Sequence, residues 1–183
     1  RSRSKAVRWR LSGSGWSRPR EREGSLANYL VNLGRLEEAL QHGRRAVLLD
    51  PGSAHARHNL SLALHESGKL EEAIQEMRQV IALAPRASVH CNLALALKGQ
   101  GKLDEAIVEY RRASELDPGY ADAHGDLGSV LAEQGKFDEA ITEFRAAIAL
   151  DPRNANTEYN LGTVLSKLTK LDEAIAAFAR ASE

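Results

Sequence analysis

The sequence has one cysteine, five prolines and few aromatic residues, which make up 5% of its 183 positions. The single cysteine, Cys91, excludes an intramolecular disulfide and is typical of a reducing compartment, so we expect a cytoplasmic location. No apolar run reaches the ~18 residues that a membrane-spanning helix needs, so no membrane span is predicted. Alanine and leucine supply most of the hydrophobic residues, and this composition favours packed helices over a β-sandwich.

The formal net charge is zero, but the charges are unevenly distributed. Residues 1–20 carry seven Lys and Arg residues and no acid, which leaves an excess of seven acids in the remainder. With Trp9 and Trp16, this segment has the features of a nucleic-acid or membrane contact, or of an organellar transit peptide. Because it lacks apolar periodicity and contains SGSG and Pro19, we interpret residues 1–19 as a disordered basic flank. Nucleic-acid binding is therefore not expected outside residues 1–20.

Motifs for catalysis or nucleotide binding are missing. GQGK at 99–102 and EQGK at 133–136 lack the spacing of a phosphate loop, and neither HExxH nor GxSxG occurs. His90 precedes Cys91, but neighbouring helical residues point ~100° apart and cannot form a nucleophile–base pair. We therefore predict that the protein is not an enzyme and binds no cofactor.

Histidines raise the question of a metal site. His55, His58 and His65 lie close to one face of a predicted helix, and neutral imidazoles so placed can ligate a metal. No supporting carboxylate accompanies them, and His65 is nearly three turns from His55. We interpret them as polar surface residues and predict no metal site.

One string of residues recurs along the chain. Residues 101–118 read GKLDEAIVEYRRASELDP, and the related strings are 33 or 34 residues apart. They begin at Gly34, Gly68, Gly135 and Thr169. This period is the length of a helix–turn–helix unit. The single 33-residue step falls after Pro85, where we expect a loop that is one residue shorter.

Each string has the features of a helix packed between neighbours. Asp or Glu occupies its first turn, where negative charge offsets the helix dipole. An alanine then marks a close approach of two backbones, and a large apolar residue usually follows four positions later on the same face. The large residues are Met77, Tyr110, Phe144 and Phe178. Gly43 takes this place in the first string, so we expect that helix to fray.

These repeated motifs resemble the tetratricopeptide-repeat (TPR) family over residues 21–183. The resemblance implies an all-α fold, a right-handed α-solenoid of helix–turn–helix units whose first helices line a concave groove. The predicted units are 20–53, 54–86, 87–120, 121–154 and 155–183. No polar capping helix follows the last string, so we interpret the chain as truncated and expect self-association through its C-terminal end.

The candidate site is one position repeated along this groove. Asn59, Asn92 and Asn160 each precede the first leucine of a first helix, and Asp126 takes this place in the fourth unit. In TPR geometry the position faces the groove, where an amide can pair with the backbone of an extended peptide. The arrangement is similar to the asparagine ladder in the TPR arm of the O-linked N-acetylglucosamine transferase. The alternative is that asparagine is only a tolerated polar residue near the start of a helix.

Neighbouring groove residues are expected to select the partner. The resemblance places among them His55, His58, Asp122 and Tyr159. A chaperone EEVD tail is not an expected ligand, because lysine is absent from the positions of the two-carboxylate clamp. Asp122 and Asp126 favour a basic or N–H-rich segment instead. The sequence thus predicts a non-catalytic protein-interaction scaffold that binds a protein or peptide, with a substrate-recruiting TPR arm of a larger enzyme, such as a glycosyltransferase, as the alternative.

Overall fold

A computed structural model describes residues 19–182 of the chain. In this range there are ten α-helices and no strands, and successive helices pack as five pairs. The first helices of the pairs are α1 (Pro19–Asn32), α3 (Ala54–Glu66), α5 (Ala87–Gly99), α7 (Ala121–Glu133) and α9 (Ala155–Lys167). The second helices are α2 (Leu36–Leu49), α4 (Leu70–Leu83), α6 (Leu103–Leu116), α8 (Phe137–Leu150) and α10 (Leu171–Ala181). The predicted all-α solenoid is confirmed, whereas the basic flank, apart from Pro19, lies outside the described residues.

The turn inside each pair contains a residue in the left-handed region. Four of these residues are glycines, with φ between +71° and +76°. They are Gly34, Gly68, Gly101 and Gly135. This conformation lets the chain close the helix with hydrogen bonds such as the one from the Lys102 backbone N–H to the Leu97 carbonyl, 3.0 Å long. In the last pair Thr169 adopts φ +58°, which a β-branched residue rarely takes.

The loops between pairs differ in length at one place. Three of them have four residues, at 50–53, 117–120 and 151–154, whereas 84–86 has three. The expected shorter loop after the 33-residue step is therefore confirmed. It places Arg86 directly before α5 as its N-cap residue.

Small and large residues face each other where two helices of a pair meet. A Cβ atom added to Gly128 would lie 2.8 Å from the Phe144 ring, and one added to Gly162 would lie 2.8 Å from the Phe178 ring. Glycine is therefore required opposite phenylalanine. In the first pair, a Cβ atom at Gly43 would come within 3.3 Å of the Leu60 backbone. Gly43 thus permits α2 to lie close against α3, a packing role that the sequence did not reveal.

Ion pairs repeat with the same period as the core. Exposed arginines of successive second helices reach a glutamate on the next second helix at 2.8 to 3.4 Å. The pairs are Arg44–Glu72, Arg78–Glu105, Arg111–Glu139 and Arg145–Glu173. Because such surface pairs contribute only about 0–1 kcal/mol each, the stability of the stack comes mainly from its buried core. Inside two pairs, His90 and His124 bind Glu109 and Glu143 at 2.7 Å.

The first pair is attached more closely than the others. Helix α1 packs directly against α3, whereas α5 and α7, like α7 and α9, touch only slightly. Gly24 lies at this contact, where its carbonyl oxygen accepts a hydrogen bond from the Asn59 side chain at 2.9 Å. The surface formed by the first helices is therefore covered at α3 and open from α5 to α9.

Candidate functional site

The candidate site lies on the surface formed by α3, α5, α7 and α9, which we call the groove. Its four repeated positions share one register but differ in exposure. Asn59 is buried with 2% of its surface accessible, Asn92 and Asn160 are half-buried, and Asp126 is exposed. Asn59 is therefore enclosed by the protein in this structure, whereas the other three positions are partly or fully accessible to solvent.

Asn59 is occupied by contacts within the protein. Its Nδ2 atom donates to the Gly24 carbonyl oxygen at 2.9 Å and lies 3.2 Å from Nε2 of His55. Since Gly24 belongs to α1, Asn59 joins the first helix to the third. A ligand would reach this amide only if α1 moved.

Asn92 and Asn160 are placed differently. Neither makes a side-chain hydrogen bond to any other residue in the part of the chain that the structure describes. Asn160 opens onto a cleft of about 200 Å³ between α7 and α9, which Ser129 and Thr163 also line. A half-buried amide offers one acceptor and two donors, so both side chains can hydrogen-bond a ligand in the groove.

Asp122 and Asp126 form an acidic patch on α7. Partial loss of contact with water raises the pKa of the Asp126 carboxyl, and the nearby Asp122 charge raises it further. The Lys98 charge and a hydrogen bond with Tyr110 act in the opposite direction. Burial, followed by the two aspartates, also raises the pKa of the Cys91 thiol to about 12. Cys91 is therefore protonated at neutral pH and is not a nucleophile. The patch can bind a cation.

His55 and His58 lie at the opposite end of the groove, near the short loop. Burial lowers the pKa of His58, and the nearby His55 and Arg86 lower it further. Its Nδ1 atom is buried and has no hydrogen-bond partner among residues 19–182. Sequence reasoning missed Arg86, although the 33-residue step had located the loop that carries it. The position of its side chain depends on the three-dimensional course of that loop.

Tyr159 is the last of the predicted site residues. It lies on α9, is 59% exposed, and its ring centroid is 5.4 Å from that of Phe178 on α10. The ring is thus supported from one side and accessible from the other. It offers a flat apolar contact with a hydroxyl at its tip.

The described residues hold neither a cluster of metal ligands nor a helix that could cross a membrane. No three His, Cys, Asp or Glu side chains in residues 19–182 approach one another as metal ligands would. None of α1–α10 has both the length and the apolar character that crossing a membrane requires.

The helix pairs and the groove define an α-solenoid repeat protein. A tetratricopeptide-repeat family model matches residues 25–88 and 91–155, and a second model of this repeat matches 131–183. The chain therefore belongs to the tetratricopeptide-repeat family. Members of this family are generally non-catalytic modules that bind other proteins, which gives the chain a general protein-binding role. No curated protein matches its sequence significantly.

Several solved structures are similar to the chain. MamA (residue 41 to the end) from Desulfovibrio magneticus RS-1 superposes with a TM-score of 0.80 at 17% identity, covering 89% of this chain and 93% of that solved chain. PilF of Pseudomonas aeruginosa gives 0.81 at 23% identity, covering 89% and 75%. YrrB, described as a TPR protein with an unusual peptide-binding site, gives 0.71 at 24% identity, covering 87% and 82%. These similarities establish the fold.

Proposed function

We propose that the protein is a non-catalytic scaffold that binds an extended peptide along the groove, from α5 to α9. The observation that carries this proposal is the state of Asn92 and Asn160. Both amides are half-buried on the groove, and neither is bonded to another side chain or to the backbone within the described residues. Because polar groups at partly buried positions usually find partners, these amides are suited to the backbone of a bound peptide.

The general dimensions of packed helices and extended chains give the length of the expected ligand. Neighbouring helices pack at roughly 10 Å and an extended chain advances about 3.3 Å per residue, so one repeat spans about three peptide residues. Asn92 and Asn160 are two repeats apart, with Asp126 between them. A peptide of about six residues therefore spans the two amides.

The chemistry of the groove favours a basic residue in the middle of such a peptide. Asp122 and Asp126 present two carboxylates on α7, the central helix of the open part. Tyr159 adds an accessible ring at the far end. The peptide-binding site named for YrrB supports the use of this fold for peptides.

The test is a selection of displayed random peptides on residues 1–183, followed by affinity measurement by fluorescence polarisation. Each lost hydrogen bond is worth about 0.5–1.5 kcal/mol, so the Asn92→Ala/Asn160→Ala variant should bind selected peptides roughly tenfold more weakly. Gln75→Ala, on the exposed surface of α4, is the matched control and should bind like the wild type. Equal affinities for all three proteins would rule out the two amides as peptide contacts.

The alternative, a substrate-recruiting arm of a larger enzyme, would use the same groove and stays a prediction. The identity of the partner decides between the two: an enzyme arm captures substrates of that enzyme.

A further inference from the structure

A small basic cavity lies at the short loop between the second and third pairs. Its volume is about 110 Å³. The polar side chains in its wall are His55, His58, Arg86 and Ser88, and its apolar wall includes Val80 and Val89. We call it the loop pocket. It is separate from Asn92, Asp126 and Asn160, none of which lines it.

The polar groups of the loop pocket are all hydrogen-bond donors or can become so. The Arg86 guanidinium is permanently charged and makes no ion pair with any residue between 19 and 182. The buried Nδ1 atom of His58 has no partner in the same range, although a buried ring nitrogen is normally hydrogen-bonded. An unpaired cation beside an unpaired ring nitrogen is suited to an acceptor that carries negative charge.

Two features specific to this repeat create the loop pocket. The loop is one residue shorter than the other three, which makes Arg86 the N-cap of α5; the corresponding caps are Ser53, Tyr120 and Asn154. The equivalents of His58 in the next three repeats are Cys91, Gly125 and Tyr159, none of which carries an imidazole. The basic wall is thus confined to one place.

We propose that the loop pocket binds a carboxylate, namely the acidic side chain of a peptide that lies in the groove. A metal cation is disfavoured there because the fixed charge of Arg86 repels it. This inference rests on the proposed peptide-binding function, and it gives the direction in which the peptide lies along the groove. The acidic residue of the peptide lies at the end near α3 and α5, and the basic residue lies over Asp122 and Asp126 on α7.

Binding at the loop pocket should strengthen as the pH falls. The titratable or charged groups in the pocket wall are His55 and His58 from α3 and Arg86 from the start of α5, while α4 contributes Val80 and Ala84. Burial and the two nearby basic groups keep the pKa of His58 low in the free protein. A bound carboxylate favours the protonated His58 ring, so binding takes up a proton. The affinity therefore rises by up to about tenfold for each unit by which the pH falls.

The test uses a pair of small probes that differ only in charge. N-acetyl-glutamate N-methylamide and N-acetyl-glutamine N-methylamide are titrated into the ¹⁵N-labelled full chain, and backbone and histidine-ring resonances are followed by NMR. We expect saturable shifts at His58 and Ser88 with the glutamate probe, several-fold tighter at pH 6.0 than at pH 7.5, and no saturable shifts with the glutamine probe. Arg86→Gln should weaken the binding at least fivefold, while Arg78→Gln, at an exposed arginine of α4, should not.

Three results would overturn the proposal. The first is an equal response to both probes, and the second is unchanged binding by Arg86→Gln. The third is saturable binding of inorganic phosphate without binding of the glutamate probe, which would assign the pocket to a phosphoryl group. Because the probes do not contact Asn92 or Asn160, failure here leaves the groove proposal standing. Among the displayed peptides, selection on the wild type should enrich acidic residues, and selection on Arg86→Gln should not. Equal enrichment on the two proteins would show that the loop pocket does not bind the acidic side chain of the peptide.

Discussion

The Nδ2 atom of Asn59 donates to the Gly24 carbonyl oxygen at 2.9 Å and so joins α3 to α1. Asn59, which was expected to bind a ligand together with Asn92, Asp126 and Asn160, therefore has a structural role. The attachment of the first pair to the second therefore includes a buried side-chain hydrogen bond that Asn92 and Asn160 do not make within the described residues.

Asn59→Ala should destabilise the attachment of the first pair. The Gly24 carbonyl would lose its bond from Asn59 but keep its place in the hydrogen-bond pattern of α1, so the expected cost is about 0.5–1.5 kcal/mol. Hydrogen exchange of α1 amides and urea unfolding measure the effect, since a repeat protein can lose a terminal unit separately. Asn92→Ala is the matched control, because its amide has no partner to lose within the described residues. Equal protection of α1 in the two variants would contradict the role assigned to Asn59.

Gly128→Ala should destabilise the fourth pair. The new methyl group would lie 2.8 Å from the Phe144 ring, and overpacking of this kind costs about 1–3 kcal/mol. Adding Phe144→Leu should recover part of the loss. Gly125→Ala on the same helix is the control, because its added Cβ would meet only Thr157 at 3.4 Å and Ala147 at 3.9 Å. That variant should be neutral or more stable, since glycine costs about 1 kcal/mol inside a helix. Thermal unfolding that ranks the two variants the other way would refute this packing.

Thr169→Gly should stabilise the last pair. Thr169 has φ +58°, and a left-handed conformation costs a residue with a Cβ atom roughly 1–2 kcal/mol. The greater freedom of glycine in the unfolded chain offsets part of this gain, so about 1 kcal/mol is expected. Gly135→Thr is the reciprocal change, at φ +76°, and should destabilise by a similar amount. An increase in melting temperature with Gly135→Thr would show that the turn tolerates threonine.

The repeat period predicted the helices because each pair is a local unit that carries its own residues for beginning and ending a helix. The site was less predictable. Asn59 and Asn92 occupy the same register and the same kind of helix, but only Asn59 is covered, because α1 packs directly against α3. Such differences depend on contacts between units that have no fixed spacing in the sequence. The same holds for Arg86, whose place in the loop pocket follows from a deletion with no motif around it.

His58 should make the stability of the protein depend on pH. Its pKa in the folded state lies below the ordinary 6.5, so the unfolded chain takes up this proton at higher pH. The contribution of His58 to the free energy of unfolding therefore falls as the pH drops through 6.5 towards the folded pKa. Between pH 7.5 and 5.5 the wild type should lose more stability than His58→Gln. The histidine–glutamate pairs act in both proteins and cancel in this comparison. Equal losses in urea unfolding would show that His58 titrates normally.

The outer face of α10 should cause self-association. Ile175 is 67% exposed, whereas residues of the same register in the four preceding second helices are 4% to 7% exposed. They are Leu40, Ile74, Ile107 and Ile141. Each of those is covered by the first helix of the next pair, and α1 of a second copy offers the matching apolar residues Leu26 and Tyr29, which are 39% and 60% exposed.

Sedimentation of residues 1–183 should therefore show concentration-dependent association that Ile175→Glu abolishes. Val108→Glu, at a residue 62% exposed on α6, is the matched control and should associate like the wild type. Loss of association in both variants would point to a general effect of charge, and a monomeric wild type would exclude this contact between copies.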